Sequence, residues 1–372
     1  MSDARPSLFL HSAFCLLHSI RPAVGVVGAA TLLVCVAGLT AHAQQKPPNP
    51  AASEIKILPL RGNVYVLTVA GANIAASVGK DGVLLVDSGP AATAEKVVTA
   101  VRELSRRVTA TGAPIRPCIG SPQGCPWWSS SELLPTTTSP RAPRPISGIV
   151  NTSDDLEHVG GNAALSAAGR TFGVRNIDAT VPGAWVLAHE NVTQRLTKAN
   201  QSALLANETY FGPDKKLNYF NGEAVVILHP ESAHTDGDSM VHFRGSDVLV
   251  VGDIVNMTQY PVIDLDRGGS IGGIIDALNG ILDLAVVEHM MEGGTLIVPG
   301  HGRMTDAADV AYYRDMVTIV RDRVREMITR KMTLEQIKAA RLTRDYDGRF
   351  GKSTSWTPSM FVEAVYRSLT KA

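Results

Sequence analysis

The sequence predicts a single α+β domain in which short strands precede covering helices, an order that occurs twice along the chain. β-Branched runs separated by glycine turns, such as 64–67 and 82–87, are typical of sheet strands. Over 93–106, apolar residues at helix spacing predict an amphipathic helix that packs against the sheet. Strands and helices alternate again from 224 to 369, and a chain of this length can bury one large core or two packed half-domains.

The individual elements follow in chain order. The first half is predicted to hold a helix at 93–106 and strands at 64–67, 74–78, 82–87 and 146–150. The second half is predicted to hold strands at 224–228, 240–243, 248–251 and 295–298, and helices at 271–286, 305–330, 334–340 and 358–369.

Composition and charge narrow the range of partners. A chain of 372 residues with 45% apolar content can bury a large core without disulfides. Lysine plus arginine equals aspartate plus glutamate at 35 each, so no net field attracts nucleic acid or anionic lipid, and a small-molecule substrate is expected. Outside the apolar leader the cysteines are Cys118 and Cys125, which either close one small loop or remain two thiols.

The N-terminal segment has the order of a secretory signal. Arg21 precedes an apolar stretch at 23–39, and Ala41-His42-Ala43 provides a small-x-small cleavage site. We expect a signal peptide over 1–43, a proline-rich linker over 44–54 and the folded domain over 55–372, in a periplasmic or secreted protein. The alternative is an uncleaved membrane anchor, since the stretch is just short of the roughly 20 residues that span a bilayer.

Residues 108–145 interrupt the first half. The segment has no hydrophobic periodicity and is rich in proline, serine and threonine, with a tryptophan pair at Trp127-Trp128. We expect a disordered insertion, and the alternative is a functional loop in which the two tryptophans form a lid over a substrate.

A polar motif follows the strand at 146–150, namely Asn151-Thr152-Ser153-Asp154-Asp155-Leu156-Glu157-His158-Val159-Gly160-Gly161-Asn162. It resembles the metal-binding loop Asn-Thr-His-x-His-x-Asp-His-x-Gly-Gly-Asn of the metallo-β-lactamase superfamily. Four further matches occur in the family's order: Asp87 in Leu-Leu-Val-Asp-Ser-Gly, His234 in Ala-His-Thr-Asp-Gly-Asp, Asp253 after Gly252, and His301 in Pro-Gly-His-Gly.

The resemblance covers about 55–369 and implies a four-layer αββα sandwich, of the metallo-β-lactamase and glyoxalase II type, with a metal site at one edge of its two sheets. It implies that Glu157, in the place of the family's aspartate, joins His158, Asp253 and His301 around one metal ion. For the other ion, Ser153 and Asp155 replace two histidines, and the remaining ligands are His234 and the bridging Asp253.

The implied cofactor is Zn²⁺, as one or two ions, which would generate a metal-bound hydroxide near neutral pH. A group formed by Asp155, His234 and Asp253 is richer in oxygen and favours manganese or iron instead. Glu157 either ligates the ion or acts as a general base beside the catalytic Asp253. One ion, two ions and no ion all remain open.

Three residues outside the ligand set also receive predicted roles. Asp87 resembles the family's buried carboxylate, which accepts backbone hydrogen bonds beneath the metal loop and supports the ligands without binding metal. The segment 260–269 is a candidate substrate loop in which Tyr260 or Asp264 lines the pocket, although turn formation explains this segment equally well.

The predicted function is an exported metal-dependent hydrolase acting on a small ester, thioester, lactone or β-lactam-type substrate. The alternative is a degenerate member of the superfamily that binds a ligand or partner without catalysis. A third interpretation is a damaged coding region, because Pro114-Ile115 and Pro145-Ile146 repeat at the two ends of the insertion, next to the altered loop.

Overall fold

The computed structural model describes residues 54–110, 143–172, 180–286 and 293–371. The predicted signal peptide and nearly all of the predicted linker lie outside the described residues, as do 111–142 of the predicted insertion with Cys118, Cys125 and the tryptophan pair. All described residues belong to one compact unit, which spans Pro47–Ala372.

Fourteen strands lie in the described part of the chain. They are β1 (Lys56–Pro59), β2 (Val64–Val69), β3 (Ala72–Gly79), β4 (Gly82–Val86), β5 (Ile146–Val150), β6 (Arg170–Phe172), β7 (Thr180–Pro182), β8 (Trp185–His189), β9 (Glu208–Tyr210), β10 (Asp214–Phe220), β11 (Glu223–Leu228), β12 (Met240–Phe243), β13 (Val248–Asn256) and β14 (Leu296–His301).

Nine α-helices accompany the strands within the same described ranges. They are α1 (Ala94–Ala110), α2 (Leu156–Val159), α3 (Asn162–Ala167), α4 (Glu190–Lys198), α5 (Ile271–Leu284), α6 (Ala307–Thr329), α7 (Leu334–Ala339), α8 (Asp347–Phe350) and α9 (Pro358–Thr370). Side-chain caps begin several of them: Ser270 accepts from Gly273 N at the start of α5, and Thr357 accepts from Met360 N ahead of Pro358 in α9.

Twelve of these strands form two half-sheets, while β6 and β7 pair with each other; the half-sheets meet at a seam, where β14 pairs with β3. The first has the order β1-β2-β3-β4-β5-β8-β9, and the second has the order β10-β11-β12-β13-β14. Among the described residues one backbone pair, His301 with Ala72, joins β14 to β3 across the seam. Because β4, β5 and β8 are parallel to one another, and β13 is parallel to β14, the carboxyl ends of several strands lie close together.

Three apolar clusters show that the half-sheets are stacked. The central cluster combines Val66 and Leu84 of the first half-sheet with Val225 and Phe243 of the second. The outer face of the first half-sheet packs on α1 and α3, and that of the second packs on α5, α6 and α9. The layer order is therefore helix, sheet, sheet, helix, which confirms the predicted αββα sandwich.

Most predicted elements are present with shifted ends. β13 runs five residues past its predicted end and includes Asp253, because its backbone continues to pair with β14. The helix α1 extends to Ala110, and Arg144 N donates to Ser105 Oγ at 2.7 Å, so these described residues at the two ends of the predicted insertion take part in the fold. The prediction did not include β6 to β10 or α4.

No helix in the described ranges is long and apolar enough to cross a bilayer. The apolar stretch at 23–39, for which an uncleaved anchor was the alternative, lies outside those ranges.

The central cluster provides a test of the stacked arrangement. Phe243 is fully buried between the half-sheets. We expect Phe243→Ala to lower the free energy of unfolding by about 3–5 kcal/mol, because it removes a large apolar side chain and leaves a cavity. Guanidinium denaturation followed by circular dichroism measures the change.

The matched control is Phe211→Ala, since the Phe211 side chain is 78% exposed. It should shift the unfolding free energy by no more than about 0.5 kcal/mol. Equal effects of the two substitutions would contradict the sandwich core.

Candidate metal centre

The candidate site lies where strands of both half-sheets end at the seam. Asp87 follows β4, and the motif 151–162 follows β5 in the first half-sheet. Asp253 lies near the end of β13, and His301 is the last residue of β14 in the second. Side chains far apart in the sequence therefore meet because parallel strands end at the same edge.

A local irregularity aims Asp253 at this edge. The pairing of β13 with β14 shifts register on both sides of Gly252, whose φ is +52°. The opposite strand provides space at Gly300, where a Cβ atom would lie 2.3 Å from Asp253 Oδ1. Glycine at these two positions thus allows the Asp253 carboxylate to enter the seam.

The first candidate group is His158, Asp253 and His301, whose ligand atoms all lie within 4.8 Å of one another. His158 Nε2 is 3.0 Å from Asp253 Oδ2, and His301 Nε2 is 3.4 Å from Asp253 Oδ1. Glu157 Oε1 is 3.3 Å from the same His301 nitrogen. Within the described part of the chain, the buried Asp253 Oδ1 accepts no hydrogen bond, which leaves it available to a cation.

The second candidate group is Asp155, His234 and Asp253, which meets the same distance limit. His234 Nε2 lies 2.8 Å from Asp155 Oδ2. Ser153, which stands where the family has a histidine, is buried, and its Oγ accepts a hydrogen bond from Asp155 N at 3.3 Å. Asp253 belongs to both groups, as a bridging carboxylate would.

The three histidines share one arrangement that is typical of metal ligands. In each ring Nδ1 is fixed by an acceptor: Asp87 Oδ2 at 2.7 Å for His158, Val262 O at 2.9 Å for His234, and Gly71 O at 3.0 Å for His301. Each Nε2 then faces a carboxylate of its own group, Asp253 for His158 and His301 and Asp155 for His234. Metal-binding histidines are held in this way, so the residues present fit a divalent ion.

The pKa values of the histidines reflect the same contacts. Burial opposes a charged His158 ring, but the charges of Asp253 and Asp87 raise its pKa well above the ordinary value. Burial likewise opposes a charged His234, yet hydrogen bonding to Asp155 and the nearby carboxylates raise its pKa to about 10.

The carboxylates shift in the opposite direction. Burial works against an ionised Asp253, but the His158 charge and hydrogen bond hold its pKa below the ordinary range. Burial also works against an ionised Asp155, whose pKa is nevertheless lowered to about 2 by His234 and Arg267. The site therefore holds ionised carboxylates that need cations beside them.

The structure is similar to solved metallo-β-lactamases. DIM-1 metallo-β-lactamase is 14% identical, with 71% of this chain and 97% of that chain covered and a TM-score of 0.47. A metallo-β-lactamase from Pontibacter korlensis is 15% identical, with coverage of 71% and 99% and a TM-score of 0.47. TMB-1 is 12% identical, with coverage of 71% and 97% and a TM-score of 0.46. No protein-family model and no curated protein matches the sequence.

The strand order of this chain itself gives the two half-sheets and the seam between them. It also places the motif 151–162 directly after β5. The chain is a four-layer αββα sandwich, the architecture that the resemblance of its motifs to the metallo-β-lactamase superfamily implied. The predicted site residues come together at the edge of the two half-sheets, as the sequence led us to expect. They are Glu157, His158, His234, Asp253 and His301.

Two arginines beside the site were missed by the sequence reasoning. Arg267 Nη1 lies 2.7 Å from Asp155 Oδ1, and its Nε donates to Asp264 Oδ2 at 2.8 Å. Arg195 binds both oxygens of Asp154, with Nε to Oδ2 at 2.9 Å and Nη2 to Oδ1 at 2.8 Å. The sequence signal was the adjacent Asp154-Asp155 pair, since two neighbouring carboxylates that are partly buried require nearby cations.

The prediction that Tyr260 lines the substrate pocket was wrong. Tyr260 is fully buried, and its ring stacks on Phe361 at 4.9 Å between centroids. Its hydroxyl donates to Asp347 Oδ1 at 2.9 Å within the helical layer. An aromatic side chain in an apolar loop is more strongly stabilised by the core than by an open cleft.

Asp264 lies beside the site but serves the loop itself. Its carboxylate accepts from Asp266 N and Arg267 N and so caps the short turn Leu265–Arg267. It also receives the Arg267 guanidinium. Its part in the site is to position Arg267, and its predicted contact with substrate stays a prediction.

The remaining histidines make contacts of other kinds. His189 and His229 stack with ring centroids 3.8 Å apart, and burial together with the His229 charge lowers the pKa of His189 to about 4. His242 lies 3.6 Å from Asp247. Among the described residues none of the three joins a metal-capable group. His289 lies outside the described ranges.

Asp87 holds the loop at 151–162 in place through hydrogen bonds to Thr152 and His158. Its Oδ1 accepts from Thr152 N and its Oδ2 from Thr152 Oγ1, both at 2.8 Å, and the same Oδ2 fixes His158 Nδ1. Asp87 itself has a φ of +69°, a backbone strain that such a network of contacts can maintain. Asp87 thus connects the strand end of β4 to a candidate ligand.

This network predicts the effect of Asp87→Asn. The amide keeps the size of the side chain but removes the charge that orients His158, so metal affinity should fall by about 10–100-fold. Isothermal titration with Zn²⁺ measures the affinity. Asp81→Asn is the control, because Asp81 precedes the same strand at its opposite end and binds Asn221 N at 2.7 Å. Unchanged affinity in Asp87→Asn would contradict the supporting role.

Proposed function

We propose that this chain is a metal-dependent hydrolase whose ion is held by His158, Asp253 and His301. One observation carries the proposal: both rings are fixed through Nδ1, and both Nε2 atoms face a buried carboxylate with an unused oxygen. Two imidazoles and a carboxylate form a donor set that suits Zn²⁺ and leaves a position for water or substrate.

When bound in this position, a divalent ion would lower the pKa of a water molecule and polarise a carbonyl or phosphoryl oxygen. Asp253 contributes the negative charge at the centre, and Asp87 keeps the His158 ring in the orientation that exposes Nε2. Glu157 has the most exposed side chain of the group, at 48%. We therefore assign Glu157 the role of accepting a proton from water beside His301.

The substrate we propose is a small ester, thioester, lactone or β-lactam-type molecule. The support is apolar surface next to the site: Leu156 precedes Glu157 in the motif and is 60% exposed, which provides contact area for such a molecule.

We also propose export for this hydrolase. The support is the order of Arg21, the apolar stretch 23–39 and Ala41-His42-Ala43, which together fit a signal peptide over 1–43. The mature protein would then act in the periplasm or outside the cell.

A second candidate function is ligand or partner binding without catalysis. The observation that favours it is the Asp155 carboxylate, both of whose oxygens already contact protein cations, His234 and Arg267. This candidate predicts a folded protein that purifies without metal even when zinc is supplied.

Elemental analysis of the protein loaded with Zn²⁺ and then dialysed separates the two candidates. The hydrolase proposal expects about one equivalent or more in wild type and a loss of most of it in His301→Ala. His242→Ala is the control, because His242 lies in β12 and belongs to neither metal-capable group. Less than about half an equivalent in wild type would overturn the proposal.

Activity is measured on the same samples with a panel of chromogenic ester, thioester, lactone and cephalosporin substrates. The proposal expects chelator-sensitive hydrolysis that returns with zinc and falls by about 100-fold or more in His301→Ala. Hydrolysis that is insensitive to chelator would contradict the role of the ion.

A further inference from the structure

We propose that Arg267 replaces the second cation of this site, so that the chain binds one metal ion and not two. The inference rests on the proposed function for the ion at His158, Asp253 and His301, and it concerns the neighbouring group of Asp155 and His234. The observation behind it is a guanidinium group placed directly on a carboxylate of that second group.

Both oxygens of the Asp155 carboxylate are already in contact with nitrogen atoms of the protein. Oδ1 lies 2.7 Å from Arg267 Nη1, and Oδ2 lies 2.8 Å from His234 Nε2. The permanent positive charge of the Arg267 guanidinium therefore lies directly beside the second group.

The first group differs in this respect. Asp253 Oδ1 is buried and, among the described residues, accepts no hydrogen bond. Glu157 is half exposed and remains close to His301 Nε2. An ion held by His158, Asp253 and His301 would give the unsatisfied Asp253 oxygen a partner. An ion bound to Asp155 would instead be repelled by the positive charge of Arg267, which contacts the same carboxylate.

Arg267 is held in place by its own loop, which makes its charge a fixed part of the site. Asp264 Oδ2 accepts from Arg267 Nε at 2.8 Å, and Arg267 Nη1 also lies 3.2 Å from Asp154 Oδ1. The loop is joined to the His234 segment by Asp236 N, which donates to Arg267 O at 2.9 Å, and by Asp264 N, which donates to His234 O at 3.0 Å. His234 and the guanidinium therefore cannot separate without breaking several hydrogen bonds.

Arg195 lies in the same region and provides a comparison with Arg267, because its contacts are with Asp154 and Asp236. It binds Asp154 with two hydrogen bonds and also pairs with Asp236. No contact between Arg195 and Asp155 is present among the described residues. Arg195 and Arg267 thus form a matched pair in which Arg267 alone reaches the second group.

The experiment counts bound metal in four full-length proteins titrated with Co²⁺, by elemental analysis and by the visible absorption of the bound ion. We expect about one equivalent in wild type, in Arg195→Met and in Arg267→Lys, which keeps the charge. Arg267→Met removes the charge and should bind about two equivalents, with a second set of absorption bands.

Adding Asp155→Asn to Arg267→Met should return the count to about one, because the second ion then loses a ligand. Asp155→Asn alone should leave the count at about one, a result that does not depend on whether Arg267→Met folds. These outcomes would support the assignment of Arg267 as the second cation.

Two equivalents in wild type, or a loss of metal in Asp155→Asn alone, would overturn the assignment and leave the proposed function intact. A folded Arg267→Met protein that still binds one equivalent would also overturn it. No bound metal in wild type would overturn the proposed function first, so the two failures are distinguishable.

Discussion

The structure of the site depends on a buried carboxylate, Asp253, that lies between the two half-sheets. An ionised carboxylate in this position is costly unless cations or donors surround it. His158 comes from the first half-sheet and His301 from the second, so satisfying Asp253 requires both halves to meet at the seam. The fold and the site are therefore coupled, since the backbone pair of His301 with Ala72 closes the same seam.

The remaining polar groups can be understood as supports for this arrangement. Asp87, Val262 O and Gly71 O each fix one histidine ring, and glycines at 252 and 300 give the Asp253 carboxylate its space. On the side of Asp155, the Arg267 guanidinium lies 2.7 Å from the carboxylate, and Arg195 binds the adjacent Asp154. The carboxylates of the motif at 151–162 are thus balanced by histidines and arginines that come from other segments of the chain.

The sequence predicted most of the elements because strand and helix periodicities are local. The four layers and the convergence of His158, Asp253 and His301 were implied by the resemblance of its motifs to the metallo-β-lactamase superfamily. It could not predict Arg195 and Arg267, whose contacts with Asp154 and Asp155 join segments far apart along the chain. Tyr260 was misassigned because a loop sequence does not show whether its aromatic ring faces the cleft or the helical core. The strands β9 and β10 were missed because their sequences are largely polar, and the apolar β8 was missed because it is only five residues long.

Anomalous diffraction at the zinc edge, from crystals of the zinc-loaded protein, tests the central claim most directly. The account predicts one peak at the seam, within about 2 Å of the Nε2 atoms of His158 and His301 and beside Asp253. A peak between Asp155 and His234 with none at His301, or no peak at either group, would contradict it.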